Sequence, residues 1–182
     1  MILDYFMLGC LSFFIMIVID IFSHEKWYYT YLFYLAVTIQ VFAIVAQLDL
    51  SSLNLNVLSI LSIILLVLFF ALEIYTVFFA VKAGSDRVRD TGVYALCRHS
   101  GMFWYIGLCF SMSFSLNLPL LTAGVYSLLN LLYIAIQDIV VFPRNIKGYV
   151  EYKKRIPFFP TYKSFVACLL YYLNKGNKTN AF

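Results

Sequence analysis

The sequence predicts an all-α integral membrane protein with about five transmembrane helices, including a helical hairpin, and a cytoplasmic C-terminal segment. Of its 182 residues, 63% are hydrophobic and only 12% are charged, whereas a soluble domain is about half apolar and a quarter charged. The excess positive charge lies in the C-terminal half of the chain. Because the spans leave little basic surface in water, this composition argues against nucleic-acid binding.

Five apolar runs predict the spans, since a helix needs about 20 apolar residues to cross the hydrocarbon core. The fourth run is shorter, roughly 22 Å of helix, and Asn117 and Pro119 predict a tight turn between it and the fifth. The first run has no basic region before it, so we expect a retained span rather than a cleaved signal peptide. The runs cover about residues 5–22, 28–47, 57–81, 102–116 and 120–142.

Lysine and arginine predict the orientation, because they are enriched in cytoplasmic loops. Residues 1–22 and 48–56 contain neither, whereas residues 82–98 and the segment after residue 143 contain nearly all of them. With five spans, both basic regions lie on the same side of the membrane. We therefore expect the N-terminus outside and the C-terminus in the cytoplasm. We also expect one membrane domain over residues 1–182, with three spans in 1–83 and a short helix and tail in 163–182.

Two kinds of reactive side chain lie in or beside the spans. Glu73 is the one clear ionisable residue inside a span. A charge at that depth predicts a function, although a position near the headgroups is the alternative. The cysteines form no C-x-x-C pair, so we expect free thiols and no metal site. The cation of Arg98 beside Cys97 would lower the pKa of that thiol.

The most informative stretch is residues 90–101, which join the third and fourth spans. It combines Gly92, Tyr94, Arg98 and His99 within eight positions. An arginine there can hold a carboxylate in a bidentate pair, and a histidine can donate a hydrogen bond or carry a proton. The alternative is that Arg98 reaches out to anionic lipid headgroups, with His99 beside it.

A second polar stretch begins at the end of the fifth span. Asp138 at the cytoplasmic rim can accept hydrogen bonds from a polar ligand, and Tyr149 and Tyr152 share one face of a helix because they are three residues apart. The alternative is an interfacial amphipathic helix that contacts anionic lipid. For the basic residues we expect this lipid contact: Lys147, Lys153, Lys154 and Arg155.

The two stretches together resemble one membrane enzyme family. Gly92-Val93-Tyr94 followed by Arg98-His99 resembles the G-x-Y-x-x-x-R-H-P motif of the isoprenylcysteine carboxyl methyltransferase family, which is related to the phospholipid N-methyltransferases. Downstream, the family has two acids at the end of a span, then Y-x-x-Y and a Val/Ile-Pro. The matching positions here are Gln137-Asp138, Tyr149, Tyr152 and Ile156-Pro157.

The resemblance covers about residues 84–162, which would form a methyltransferase-like core with a cofactor site. It departs from the family pattern at three places. Ser100 replaces the proline, Gln137 replaces the first acid, and Asn145-Ile146 replaces the usual Phe-Gly.

The resemblance implies methyl transfer from S-adenosylmethionine to a small or lipid-like acceptor that enters sideways from the membrane lipids. Methyl transfer is an in-line displacement that depends mainly on positioning, and we assign no catalytic residue. The cofactor-binding residues implied are Tyr94, Leu96, Arg98, His99, Gln137, Asp138 and Tyr149.

Two other classes of function remain open. A non-enzymatic membrane protein that keeps the fold with a degenerate site is favoured by Ser100 and Gln137. A third class is a transporter or a lipid-binding helper, and transport is less favoured because the spans hold few buried charges and no paired broken helices.

Overall fold

The structure is a computed structural model that describes residues 2–22, 27–51, 56–76 and 93–179. Every regular element within these ranges is helical, as the composition predicts. The helices are α1 (Ile2–Phe22), α2 (Trp27–Val45), α3 (Val57–Ile74), α4 (Val93–Leu96), α5 (Ser100–Leu116), α6 (Leu120–Ile136), α7 (Phe142–Asn145), α8 (Tyr149–Arg155) and α9 (Tyr162–Thr179).

Three helical segments of the described residues are long and apolar enough to cross a membrane: Leu3–Phe22, Val57–Ile74 and Leu120–Asn145. They match the first, third and fifth predicted spans. A shorter apolar segment, Tyr31–Val45, matches the second. Helix α5 has 17 residues, about 25 Å of helix, and begins at Ser100, two residues before the predicted fourth span. Residues 77–81, the predicted end of the third span, lie outside the described residues.

The long helices pack as neighbours in a bundle. Helix α5 lies between α3 and α6, and α1 contacts both α6 and α2. Glycine permits two close approaches: a Cβ on Gly107 would lie 2.6 Å from the Phe69 ring, and a Cβ on Gly9 would collide with the Tyr126 hydroxyl. Small residues at such contacts are typical of membrane helices, where close van der Waals packing drives association.

Polar side chains join the helices inside the bundle, while large apolar side chains cover its outside. Gln40 Nε2 donates to the Tyr105 hydroxyl at 3.1 Å, and Gln47 Nε2 donates to the Tyr126 hydroxyl at 3.1 Å. The Thr122 hydroxyl donates to Gln47 Oε1 at 2.8 Å. On α3, most leucine, isoleucine, valine and phenylalanine side chains are exposed. A bilayer requires this arrangement, because polar groups must be hydrogen-bonded within the bundle while apolar groups face the lipid.

The two ends of the bundle are built differently. At one end, Asn117 closes α5 in a left-handed conformation with φ 53°, and its N–H donates to the Met112 carbonyl. Pro119 then precedes the first residue of α6. The predicted tight turn is therefore confirmed, and Asn117 Nδ2 ties it to the Asp49 carbonyl at 3.1 Å. At the other end, α4 contacts both α5 and α9, and Tyr152 on α8 donates to the Tyr94 carbonyl on α4. Helix α9 continues to Thr179 and so includes most of the predicted tail.

Candidate functional site

The site is centred on Asp138, which lies on a widened turn where α6 ends. Residues Gln137–Val141 form a π-helical turn in which the Phe142 N–H bonds the Gln137 carbonyl. Pro143 explains the widening, because proline has no N–H to donate and its ring crowds the carbonyl four residues earlier. The turn buries Asp138, which is 3% exposed.

Four side chains donate hydrogen bonds to the Asp138 carboxylate. Arg98 donates from Nε to Oδ1 at 2.9 Å and from Nη2 to Oδ2 at 3.3 Å. His99 Nε2 and the Tyr149 hydroxyl contact Oδ1 at 2.9 and 2.7 Å. Lys153 Nζ lies 2.7 Å from Oδ2. We call Asp138 and these four residues the Asp138 cluster. Charge-assisted bonds of this kind are among the strongest in proteins.

Arg98 also ties the cluster to the segment around α8. Its Nη1 donates to the carbonyls of Lys153 at 2.9 Å and Ile156 at 2.7 Å, and its backbone N–H donates to the Pro157 carbonyl at 3.1 Å. The guanidinium lies 5.6 Å from the centre of the Phe158 ring. Its side chain is only 8% exposed, so the alternative in which Arg98 reaches lipid headgroups is wrong.

His99 is enclosed by aromatic rings. Phe142 lies nearly parallel to the imidazole with ring centres 5.8 Å apart, and Phe158 lies at 5.0 Å. This burial lowers the pKa of His99, although the hydrogen bond with Asp138 acts in the opposite direction. His99 is therefore neutral near pH 7, and its Nε2–H donates to the Asp138 carboxylate, which can only accept.

Tyr149, the tyrosine of the Asp138 cluster, acts as a hydrogen-bond donor. Burial and the neighbouring Asp138 raise the pKa of the Tyr149 hydroxyl, so it keeps its proton and donates it to the carboxylate. Tyr149 and Tyr152 are both buried and face inward from α8, as their spacing predicts. Tyr152 donates to the Tyr94 carbonyl at 3.2 Å.

The remaining predicted cofactor-binding residues lie in two places, on α4 and at Gln137 on the turn after α6. Tyr94 and the half-buried Leu96 lie on α4, and Tyr94 is linked to α8 through its backbone carbonyl. Cys97 follows them and is buried. Burial raises the pKa of the Cys97 thiol to about 11 and outweighs the expected lowering effect of Arg98. The thiol is protonated and unreactive near neutral pH.

Gln137 does not join the Asp138 cluster. Its Nε2 lies 2.6 Å from Asp20 Oδ2 on α1 and 2.7 Å from the Tyr133 hydroxyl, and that hydroxyl donates to Asp20 at 2.7 Å. Consecutive helical residues point in different directions, about 100° apart. The predicted pair of site residues therefore serves two separate clusters, and the one with Gln137 joins α6 to α1.

Lys153 is the site residue that sequence reasoning assigned wrongly. It was expected to contact lipid, but its ammonium group binds Asp138. Tyr149 and Lys153 are four residues apart and so share a helix face, which is the signal that links them. The aromatic residues Phe142 and Phe158 had no comparable signal in the sequence.

Comparison of the chain with protein-family models, with curated proteins and with solved structures finds no match. Among the described residues, no three His, Cys, Asp or Glu side chains are grouped to hold a metal ion.

Proposed function

We propose that this chain is a membrane methyltransferase of the isoprenylcysteine carboxyl methyltransferase type, which transfers a methyl group from S-adenosylmethionine to a small or lipid-like acceptor. One observation carries the proposal. The two stretches that resemble the family are 40 residues apart in sequence, yet Arg98 and His99 from the first meet Asp138 and Tyr149 from the second around a single carboxylate.

The residues present fit the amino-acid end of the cofactor. Arg98 and Lys153 bring two positive charges to the single negative charge of Asp138, and neutral His99 adds none. The cluster therefore has a surplus positive charge that suits a cofactor carboxylate. Lys153 is the most accessible member, at 37% exposed, so it is the residue that would hold such a group.

The aromatic residues suit the rest of the cofactor. The rings of Phe142 and Phe158 flank His99, and the Tyr149 ring packs against Phe142. Aromatic faces attract a positively charged sulfonium group. When bound, the cofactor supplies an electrophilic methyl group. The chain supplies position, because Arg98 and Asp138 fix the start of α5 against the end of α6.

We further propose five spans with the N-terminus outside and the C-terminus in the cytoplasm. The starts of α2 and α5 and the ends of α1, α3 and α6 would lie on the cytoplasmic side, where the basic residues also lie. A single cysteine at position 54, in a chain whose four native cysteines are replaced by serine, should react with an impermeant reagent only from outside. Labelling only from the cytoplasmic side would contradict this topology.

The alternative function is a non-enzymatic membrane protein with a degenerate site. It is favoured by the complete engagement of Asp138 with protein donors, which gives the cluster a structural role without any ligand. The replacement of a family acid by Gln137, whose side chain binds Asp20, points the same way.

Calorimetric titration with S-adenosylhomocysteine in detergent distinguishes the two functions. The methyltransferase should bind this reaction product with micromolar affinity, about −8 kcal/mol. It should also transfer the labelled methyl group of S-adenosylmethionine to a lipid-extractable product. Absence of both heat and thermal shift at millimolar ligand would favour the non-enzymatic protein.

A further inference from the structure

Glu73 is a second carboxylate, separate from the Asp138 cluster, at the seam between α3 and α5. A Cβ on Gly101 would lie 3.5 Å from its Oε2 and 3.7 Å from its Oε1. Oε2 is buried and has no hydrogen-bond partner among the described residues. The first turn of α5 offers this carboxylate the positive end of a helix dipole. A buried acceptor that no protein donor satisfies is otherwise costly in a membrane span.

Ser100 adds a second unsatisfied group on the same seam. It is 1% exposed, and its Oγ has no hydrogen-bond partner within the described part of the chain. Helical spacing places Ser100 on one face of α5 with Trp104 and Gly107. That face contacts α3, because Trp104 Nε1 donates to Thr76 Oγ1 at 3.1 Å and Gly107 adjoins Phe69.

The surface beside Glu73 is apolar and exposed. Val67, Phe70 and Ile74 are 63%, 57% and 37% exposed, and their spacing puts them in one stripe along α3. The stripe ends one residue from Glu73. A molecule with a long apolar tail could therefore lie along α3 and bring a polar head to the carboxylate.

We infer that Glu73 and Ser100 bind the ammonium head of a lipophilic primary amine, and this inference rests on the proposed methyltransferase, for which the amine is the acceptor. A primary ammonium has three N–H donors and a positive charge, which together satisfy Glu73 Oε2 and Ser100 Oγ. A carboxylate acceptor would instead be repelled by Glu73.

Glu73 also prepares such an amine for reaction. An ammonium nitrogen has no lone pair, so it must lose a proton before it can attack a methyl group. The Glu73 carboxylate takes that proton: the N–H bond breaks, its electron pair stays on nitrogen, and an O–H bond forms on the carboxyl group. The ion pair becomes a neutral amine and a neutral acid, which apolar surroundings favour. His99, whose Nε2–H is directed at Asp138, is not needed as the base.

The fluorescence emission of Trp104 reports directly on binding at this site. The chain has two tryptophans, so Trp27→Phe leaves Trp104 as the single reporter, and it bonds Thr76 on the same seam. The protein in phosphatidylglycerol vesicles, whose lipid contains no amine, is titrated with dodecylamine, dodecanoic acid and dodecanol. Dodecylamine should change the Trp104 emission saturably. Glu73→Gln should weaken that binding at least about tenfold, the effect of losing a charge-assisted hydrogen bond.

Two glycine substitutions provide matched controls. Gly101→Ala keeps the charge of Glu73 but adds a methyl group 3.5 Å from Oε2, an ordinary contact distance, so it should weaken dodecylamine binding in a folded protein. Gly124→Ala adds a methyl group with no atom within 4 Å and should change nothing.

Equal dodecylamine affinity in the parent and Glu73→Gln would overturn the inference, as would tighter binding of dodecanoic acid than of dodecylamine. A parallel titration with S-adenosylhomocysteine separates this inference from the function on which it rests. Binding of the cofactor analogue without Glu73-dependent amine binding would leave a methyltransferase with another acceptor. Glu73-dependent amine binding without the cofactor analogue would overturn the methyltransferase and support an amine-binding protein.

Discussion

Two carboxylates at the same end of the helix bundle have opposite surroundings. Asp138 receives hydrogen bonds from four side chains, two on α8 and two in the segment before α5. Glu73 has a buried oxygen for which no described residue supplies a donor. The difference indicates that the first carboxylate holds the protein together, while the second is available to a ligand.

The neighbouring helices explain the contrast. Asp138 faces a place where separate parts of the chain converge, and each contributes a long polar side chain. Glu73 lies beside Gly101 in the first turn of α5, and glycine has no side chain to offer the carboxylate. Helix α3 is also the helix whose apolar side chains are most consistently exposed, so few other elements approach it.

The largest expected effect follows from removing the charge of Asp138. Asp138→Asn leaves the buried guanidinium of Arg98 without its counter-ion, and breaking a buried pair in this way costs about 3–5 kcal/mol. Unfolding in a denaturing detergent should show that loss. A loss below about 1 kcal/mol would mean that the cluster behaves like an exposed ion pair, and the contrast with Glu73 would disappear.

Arg98→Lys tests the geometry of the cluster while keeping its charge. Lysine cannot reproduce the fork that holds Asp138 and two carbonyl oxygens. Losing a charge-assisted hydrogen bond should weaken S-adenosylhomocysteine binding about 10- to 150-fold, measured by calorimetry. Lys154→Gln, next to the cluster residue Lys153, is the control and should stay within about twofold because exposed charges contribute little. Unchanged binding in Arg98→Lys would rule out the site assignment.

His99 should make the stability depend on pH. Because burial lowers its pKa in the folded protein, the unfolded chain binds the proton more tightly than the folded chain does. The stabilisation is complete above about pH 6.5 and is lost as the pH falls through that value toward the lower folded pKa. Unfolding measured from pH 8 to pH 5 should show this decline, and His99→Asn should reduce it. An equal decline in both proteins would assign the effect to another group.

The smallest effect on stability is expected at Glu73. Glu73→Gln removes a charge whose buried Oε2 has no donor among the described residues, so stability should be unchanged or should rise by up to about 1 kcal/mol. The same unfolding assay used for Asp138→Asn measures it, so the two substitutions form a matched pair. A loss comparable to that of Asp138→Asn would show that Glu73 also holds the fold together.

The sequence by itself determined the helices and most of their limits. Long apolar runs have no alternative to helix in a bilayer, because every backbone polar group must be satisfied within the segment. The turn at Asn117 and Pro119 was equally local, since a left-handed residue followed by proline ends one helix and starts the next. The spacing of Tyr149 and Tyr152 also predicted their shared inward face.

Only the tertiary structure decided which polar groups meet. Gln137 and Asp138 are adjacent in the sequence, yet one binds Asp20 and the other binds Arg98. Lys153 resembles the exposed Lys154 beside it but forms an ion pair with Asp138. The physical reason is that a local pattern specifies the face of a helix on which a side chain lies, whereas its partner depends on how that helix is rotated and placed against others. Among the described residues, the same packing leaves Glu73 Oε2 without a hydrogen-bond donor.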